Sequence, residues 1–283
     1  MKKKLCLITG ATAGIGKEAA AMIAKENFSL VFTARNFQKA EETKKYIIEK
    51  SGNADIHYFF CDLASLNSIT RFCSEFREKY DRIDVLINNA GTWEFRLNIS
   101  EDGFEKTFAV NHLAHFYLTH LLLDLILAGS ESRIINVSSA AHKYARFNFE
   151  DPDSSKSFDF LKVYANSKLA NIWFTNVLAL KLKAKNVTVN SLMPGVIVSE
   201  LLRNLPFPIK QLGKLFSKPT IEGAKPIVRL AISDDVKSIT GTYFDEFKIG
   251  QMSKEAANFE KAQMFWDLTE KMISSKISNF RSL

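Results

Sequence analysis

Short apolar runs alternate with longer amphipathic ones along most of the chain, and this alternation constrains the fold more than any other feature. "KLCLIT", "FSLVFTA", "DIHYFFCD", "RIDVLIN", "SRIINVSS" and "NVTVNSLMPG" read as strands. Between them, "IGKEAAAMIAKEN", "NFQKAEETKKYIIEK", "LNSITRFCSEFREKY" and "YANSKLANIWFTNVLALKLKA" place apolar residues at helical spacing. "EDGFEKTFAVNHLAHFYLTHLLLDLI" holds one long helix or two. Strands that are apolar at nearly every position must be covered on both faces. The expected class is therefore α/β: a doubly wound parallel sheet of the Rossmann type, with helices on both sides.

The pattern loosens after Gly195. "VIVSELLRNLPFPIKQLGKLFSKPT" carries Pro206, Pro208 and Pro219 and suits small helices better than a core strand. "IEGAKPIVRLAI" is helix-like, "GTYFDEF" reads as a last short strand, and "AANFEKAQMFWDLTEKMI" as a final amphipathic helix. No internal repeat and no long polar linker divides the 283 residues, so a single domain with a small C-terminal helical cap is expected.

Composition removes several function classes. Apolar residues at 46% and charged residues at 24% describe an ordered globule. The net charge is +7, but the lysines, such as Lys44, Lys45, Lys181, Lys183 and Lys185, are scattered. No basic block is interleaved with aromatics, so no nucleic-acid partner is expected. Cys6, Cys61 and Cys73 are too widely spaced for a metal or disulfide pattern, and a reducing, cytoplasmic setting fits them. The basic start is followed by an apolar run only from Leu5 to Ile8, too short for a signal peptide. No stretch nears the roughly 18 apolar residues of a membrane span, so no membrane anchor is expected. His112, His115 and His120 share one helical stretch without a carboxylate or cysteine to complete a ligand set, and no metal is expected.

"TGATAGIG", Thr9 to Gly16, follows the first strand directly and opens a helix. Glycine suits Gly10 for a tight turn, Gly14 for close approach to a pyrophosphate and Gly16 for helix–strand contact. The helix N-terminus beyond would offer N–H groups to phosphate, with Thr12 and Ile15 in the same loop. An ATPase-type phosphate loop is excluded, because Ala11 and Glu18 stand where it needs glycine and a hydroxyl. A simple strand–helix turn stays open. The second strand ends in "TARN", with Arg35 and Asn36 where an acid would hold a ribose 2′-hydroxyl. Arginine pairs bidentately with a 2′-phosphate, so NADP(H) is expected, with NAD(H) as the alternative. A solvated strand-end arginine is the plainer role. Asp62, followed by Leu63, is placed to accept from an adenine amino group or to cap its strand. In "NNAG", Asn88 to Gly91, a side-chain amide can brace the glycine loop; Asn89, Ala90 and Gly91 join the expected cofactor contacts.

Tyr164 and Lys168 are one helical turn apart and share a face. A free tyrosine has a pKa near about 10, and a nearby cation lowers it. Ser139, at the end of the fifth strand, can donate to a carbonyl oxygen. Asn111 lies mid-helix, where an amide is an odd choice unless it binds backbone or water; it could hold a water linking Lys168 to solvent. Duller roles stay open for each: a core-edge tyrosine, a snorkelling lysine, a strand cap, a helix cap or kink.

"TGATAGIG", "NNAG", Asn111, Ser139, "YANSK" and Pro194–Gly195 together resemble the short-chain dehydrogenase/reductase family, over almost the whole chain. "NHLAHFYLTHLLLDLI", "RIINVSSAAH", "SKLANIWFTNVLA" and "FWDLTEKMI" are most similar to its retinol dehydrogenase-like and WW-domain oxidoreductase-like group. The resemblance implies an oxidoreductase moving hydride between NADP(H) and a carbonyl or alcohol, expected to be a small apolar aldehyde, ketone or alcohol. A non-catalytic dinucleotide-binding sensor or scaffold is the alternative. Tyr164 would be the acid/base, Lys168 its partner and ribose ligand, Ser139 the carbonyl binder and Asn111 the relay residue. Gly10, Gly14, Gly16, Asp62, Asn88 and the Pro194 turn, with Gly195 and Val198, would line the cofactor.

The resemblance also implies a cofactor-binding part over about 1–195 and a substrate cap over about 196–220. Residues 140–163 form an insertion between Ser139 and Tyr164. Ala13 stands where many NADP-using members carry a basic residue, Ser199 stands for a usual threonine, and no N-terminal anchor like that of several retinoid enzymes is expected. A homodimer or homotetramer is expected to form through an exposed helix near 164–184.

Overall fold

The computed structural model describes residues 3–197 and 218–282. Its strands are β1 (Leu5–Ile8), β2 (Ser29–Ala34), β3 (Ile56–Phe60), β4 (Val85–Asn88), β5 (Ser132–Val137), β6 (Val187–Met193), β7 (Thr242–Asp245) and β8 (Lys248–Ile249). They form one sheet in the order β3-β2-β1-β4-β5-β6-β7-β8. All neighbours are parallel except β8, which pairs antiparallel with β7. Strand order reverses between β1 and β4, which pair through Cys6–Val85, Leu7–Leu86 and Ile8–Ile87. In open parallel sheets the crevice outside the carboxyl ends of such strands is where ligands bind.

The helices are α1 (Gly14–Lys25), α2 (Phe37–Ser51), α3 (Leu66–Arg77), α4 (Lys106–Phe108), α5 (Ala114–Leu121), α6 (Leu123–Leu127), α7 (Phe160–Lys181), α8 (Thr220–Ile232) and α9 (Phe259–Ser274). Side-chain oxygens cap several of them: Asn36 accepts from Lys39 N, Ser65 from Ser68 N, Asp159 from Leu161 N and Lys162 N, and Asn258 from Lys261 N. The α2 helix ends on Gly52 at φ +71°, a left-handed position that favours glycine. Two cores cover the sheet. One joins α1, α2 and α8 to Ile8, Phe32 and Ile87. The other joins α3, α5, α7 and α9 to Leu7, Leu86 and Ile134. The abundant phenylalanines gather in the second, where Phe116, Phe174 and Trp266 pack on one another and Phe265 packs on Phe108, Phe147 and Trp173.

Two expectations change here. The run from Lys106 to Leu127 is neither one helix nor two: α4 leads into a π-helical stretch, Ala109–Leu113, before α5 and α6. Such a stretch inserts a residue into the turn and is found most often at functional sites; Asn111 sits inside it. The long helix expected to be exposed is also different. The α7 helix buries all but a few residues between Val163 and Ala179, because its apolar residues are spread over every side, its buried polar ones are hydrogen-bonded, and α9 packs over it. Trp173 donates to Glu255 O at 3.0 Å and Asn176 to Ala256 O at 3.2 Å, tying it to the chain that enters α9. A second copy could not lie on this face without displacing α9.

A ladder of amides crosses the sheet floor. Asn88 donates to Asn136 Oδ1 at 2.8 Å and to Thr119 Oγ1 at 3.0 Å, and Asn136 donates to Thr175 Oγ1 at 2.9 Å. All four side chains are fully buried. Buried polar groups are retained when paired, and these tie β4, β5, α5 and α7 together beneath the crevice.

Candidate active site

A cleft of about 300 Å³ opens over the carboxyl ends of β1 and β4. Its floor is the loop between β1 and α1. Gly10 and Gly14 have φ of +70° and +58°, so the chain turns where a side chain would be strained. A Cβ on Gly10 would come within 2.6 Å of Ala90 Cα, and one on Gly16 would land on Asn89 Nδ2 and Gly10 O. The loop is thus pressed against the turn after β4. No side chain caps α1, and its N-terminus faces the cleft, as an anion site requires. Thr12, Ile15, Asp62, Leu63, Ala90 and Gly91 line the same space, with Arg35 at one end and Pro194 and Gly195 at the other.

The brace of the glycine loop is Asn89, not Asn88. Asn89 Nδ2 donates to Thr9 O at 2.9 Å and to Gly10 O at 3.1 Å. Asn88 is the last residue of β4 and its side chain points into the buried ladder instead. Strand alternation decides this, since successive side chains leave on opposite faces. Thr9, which sequence reasoning passed over, holds the turn from the other side. Its Oγ1 accepts from Asn89 N and Ala90 N, both at 3.0 Å. Asn36 does not line the cleft; its side chain caps α2. Val198 and Ser199 lie outside the described residues.

Ser139, Tyr164 and Lys168 meet at the far end of the cleft. Ser139 follows β5 and also accepts from Ala141 N at 3.2 Å, capping a short turn. Lys168 Nζ lies 5.6 Å from the Tyr164 ring centroid and donates to Val137 O at 3.2 Å. The same carbonyl accepts from Asn171 Nδ2 at 3.1 Å. Burial pushes the Tyr164 hydroxyl up to about 12, and its hydrogen bond with Ser139 only partly opposes this. Burial also brings the Lys168 amine down to about 8. The phenol is therefore raised in the free protein rather than lowered as expected, because removal from water favours the neutral form of each group.

Asn111 stands off the cleft, behind the loop that follows the turn. Its Oδ1 accepts from Thr92 N at 2.7 Å, and its Nδ2 donates to Thr92 O at 3.1 Å and Ser167 Oγ at 3.0 Å. The carboxamide thus clamps the loop to the π-helical stretch and to α7. Trp93, Lys106 and Val110 are among the residues that reach the cleft without having been marked by a motif. His112 and His115 are fully buried in hydrogen-bonded or aromatic surroundings, and burial holds both below the ordinary histidine range. Among the described residues, no three His, Cys, Asp or Glu side chains gather as a metal would need. No described helix is long and apolar enough to cross a membrane.

A crevice at the strand-order switch, a glycine-turned helix N-terminus and a Tyr–Lys–Ser cluster share one cleft, the arrangement expected of a dinucleotide-dependent oxidoreductase. The chain belongs to the short-chain dehydrogenase family, whose model matches residues 4–207. It is 38% identical to retinol dehydrogenase 14 of Mus musculus, over 96% of this chain and 86% of that protein. It is 36% identical to retinol dehydrogenase 13 of Homo sapiens, over 98% and 87%. Among solved structures, an uncharacterised protein from Mycobacterium paratuberculosis superposes with a TM-score of 0.77 at 26% identity, over 95% of this chain and 92% of that one. The Pseudomonas aeruginosa RhlG/NADP complex shares the fold with a TM-score of 0.70 at 23% identity, over 86% and 94%.

Proposed function

We propose that this oxidoreductase transfers hydride between NADP(H) and a small apolar aldehyde, ketone or the corresponding alcohol. The observation that carries the reading is the meeting of Tyr164, Ser139 and Lys168 at one end of a cleft whose other end holds Arg35. A bound nicotinamide dinucleotide supplies or accepts the hydride. The uncapped α1 terminus and the loop from Gly10 to Gly16 suit its pyrophosphate, Asp62 its adenine, and Arg35 the 2′-phosphate that favours NADP(H) over NAD(H). Lys168 donates to Val137 O, and its other N–H groups would serve the ribose.

In the reducing direction, Ser139 donates a hydrogen bond to the substrate carbonyl oxygen and Tyr164 gives it a proton as negative charge develops. A phenol raised to about 12 is protonated throughout the physiological range, which suits it to this donor role. The Lys168 ammonium, present below about pH 8, stabilises the phenolate left behind. Asn111 acts as a positioning residue: it fixes the Thr92 loop against α7, so that both walls of the cleft keep their spacing. The 140–163 insertion contributes Phe147 and Phe149, which pack on Trp173 and Phe265 and steady the second layer. Three buried free thiols, Cys6, Cys61 and Cys73, suit a reducing cytoplasmic setting.

The test follows NADPH consumption with a panel of aldehydes, ketones and quinones, beside thermal shifts with NADP and NAD. Ligand binding raises the melting temperature by mass action. Turnover of apolar carbonyls and a larger shift with NADP are expected. Tight NADP binding with no turnover of any carbonyl or alcohol would favour a sensor or scaffold; a larger shift with NAD would remove Arg35 from its role.

A further inference from the structure

The wall beside Tyr164 is built from residues that belong to no motif. Trp93 stacks on the phenol ring, with centroids 4.5 Å apart and planes 18° from parallel. Its Nε1–H donates to Phe160 O at 2.8 Å, one helical turn before Tyr164 on α7. Phe95 lies 5.4 Å from the indole, and Phe95 and Phe160 lie 5.2 Å apart. The indole is therefore held by a hydrogen bond at its edge and by aromatic neighbours around it, and it lines the cleft with Tyr164 and Ser139. Trp173 and Trp266 are buried elsewhere in the core.

We propose that Trp93 determines substrate specificity, as a fixed aromatic wall that admits flat, conjugated or aromatic carbonyls and turns away those branched beside the reacting carbon. This rests on the hydride-transfer reading above. A carbonyl oxygen that reaches both Ser139 and Tyr164 brings its carbon alongside the phenol. One substituent on that carbon then runs past the indole that covers the phenol. A planar substituent passes along the ring and gains an offset or edge-on aromatic contact. A branched one meets a ring that cannot withdraw without breaking its bond to Phe160. Trp93 is half-buried, and its satisfied N–H and its aromatic neighbours hold it in place as one wall of the cleft.

Two measurements test the wall. The first compares kcat/KM for cinnamaldehyde and pivaldehyde with NADPH, in the wild type, Trp93→Ala and Trp93→Phe, each first checked by thermal unfolding. The preference for cinnamaldehyde should fall by about tenfold or more in Trp93→Ala, the scale of a reshaped pocket wall, with Trp93→Phe between. A preference unchanged within about twofold in an active, folded Trp93→Ala would overturn the proposal. The second reads contact without turnover. With NADP⁺ bound, the unreactive analogue cinnamamide should quench tryptophan emission in the wild type and not in Trp93→Phe, while pivalamide quenches neither. Absence of quenching in the wild type would also overturn it. If neither aldehyde is reduced yet cinnamamide quenches only the chain with Trp93, the hydride-transfer reading fails and the wall stands.

Discussion

The two ends of the cleft are made from different material. The nucleotide end is backbone: positive φ at Gly10 and Gly14, a helix terminus without a side-chain cap, and a loop pressed on the turn after β4. The Tyr164 end is side chain: a phenol, an amine, a hydroxyl and three aromatic rings drawn from β5, α7 and the loop from Thr92 to Phe95. Backbone geometry is set locally, and it tolerates little substitution. Side-chain geometry is set by packing, and it shifts pKa values by burial.

The largest expected effect falls at the side-chain end. Tyr164→Phe keeps the ring and its stacking on Trp93 but removes the proton donor, and kcat/KM for carbonyl reduction should fall by about 10²–10⁴-fold with NADPH binding retained. Equal turnover by both proteins would strip Tyr164 of its role. Arg35→Asp probes the nucleotide end. Losing a charge-assisted contact and adding a like charge should move the NADP:NAD preference by about 10–100-fold toward NAD, read as the ratio of kcat/KM values. An unchanged ratio would leave Arg35 a surface cation.

Gly16→Ala sharpens the claim that the nucleotide end is rigid. Its methyl group would strike Asn89 and Gly10, and a cost of about 1–3 kcal/mol is expected in chemical denaturation. A stability within error of wild type would show that the loop yields. The smallest effect lies between the ends. Glu105 is fully buried, caps the start of α4 through Phe108 N at 2.8 Å, and is pushed up to about 7 by burial. A carboxyl raised in the folded state favours folding below its unfolded pKa of about 4.5, and that advantage is lost as pH rises through about 7. Glu105→Gln should therefore raise Tm by about 2–4 °C at pH 8 and have little effect at pH 4. The reverse order would mean that the carboxylate is paired rather than stranded.

The backbone-built end was almost fully legible in the sequence. Glycine spacing after a strand, and apolar runs of strand and helix length, are local signals, and they carried the parallel sheet between helix layers, the loop and the place of Arg35 at the end of β2; the strand order itself is a long-range fact. Asn88 and Asn89 were harder, because two identical residues differ only in which face of β4 they leave. At the other end the residue types were readable in "YANSK" and Ser139, but not their ionisation. A four-residue spacing puts an ammonium near a phenol; only the packing of α7 between the sheet and α9 shows that desolvation dominates. Trp93 carried no signal at all, since a tryptophan in a polar loop has no period and finds its partner 71 positions along the chain. The covering of α7 by α9 was likewise a long-range fact: α7 mixes apolar and polar residues on every side, which reads as an exposed helix, and its cover lies near the C-terminus.

A neutral, half-buried phenol as the proton donor is most directly tested by the pH dependence of carbonyl reduction. In kcat/KM, which reports the groups of the free enzyme, a plateau through neutral pH and a decline above about pH 8, as Lys168 loses its proton, is the expected profile. A decline already centred near pH 6–7 would mean that the phenol ionises easily beside its lysine, and it would contradict a Tyr164 held protonated by burial.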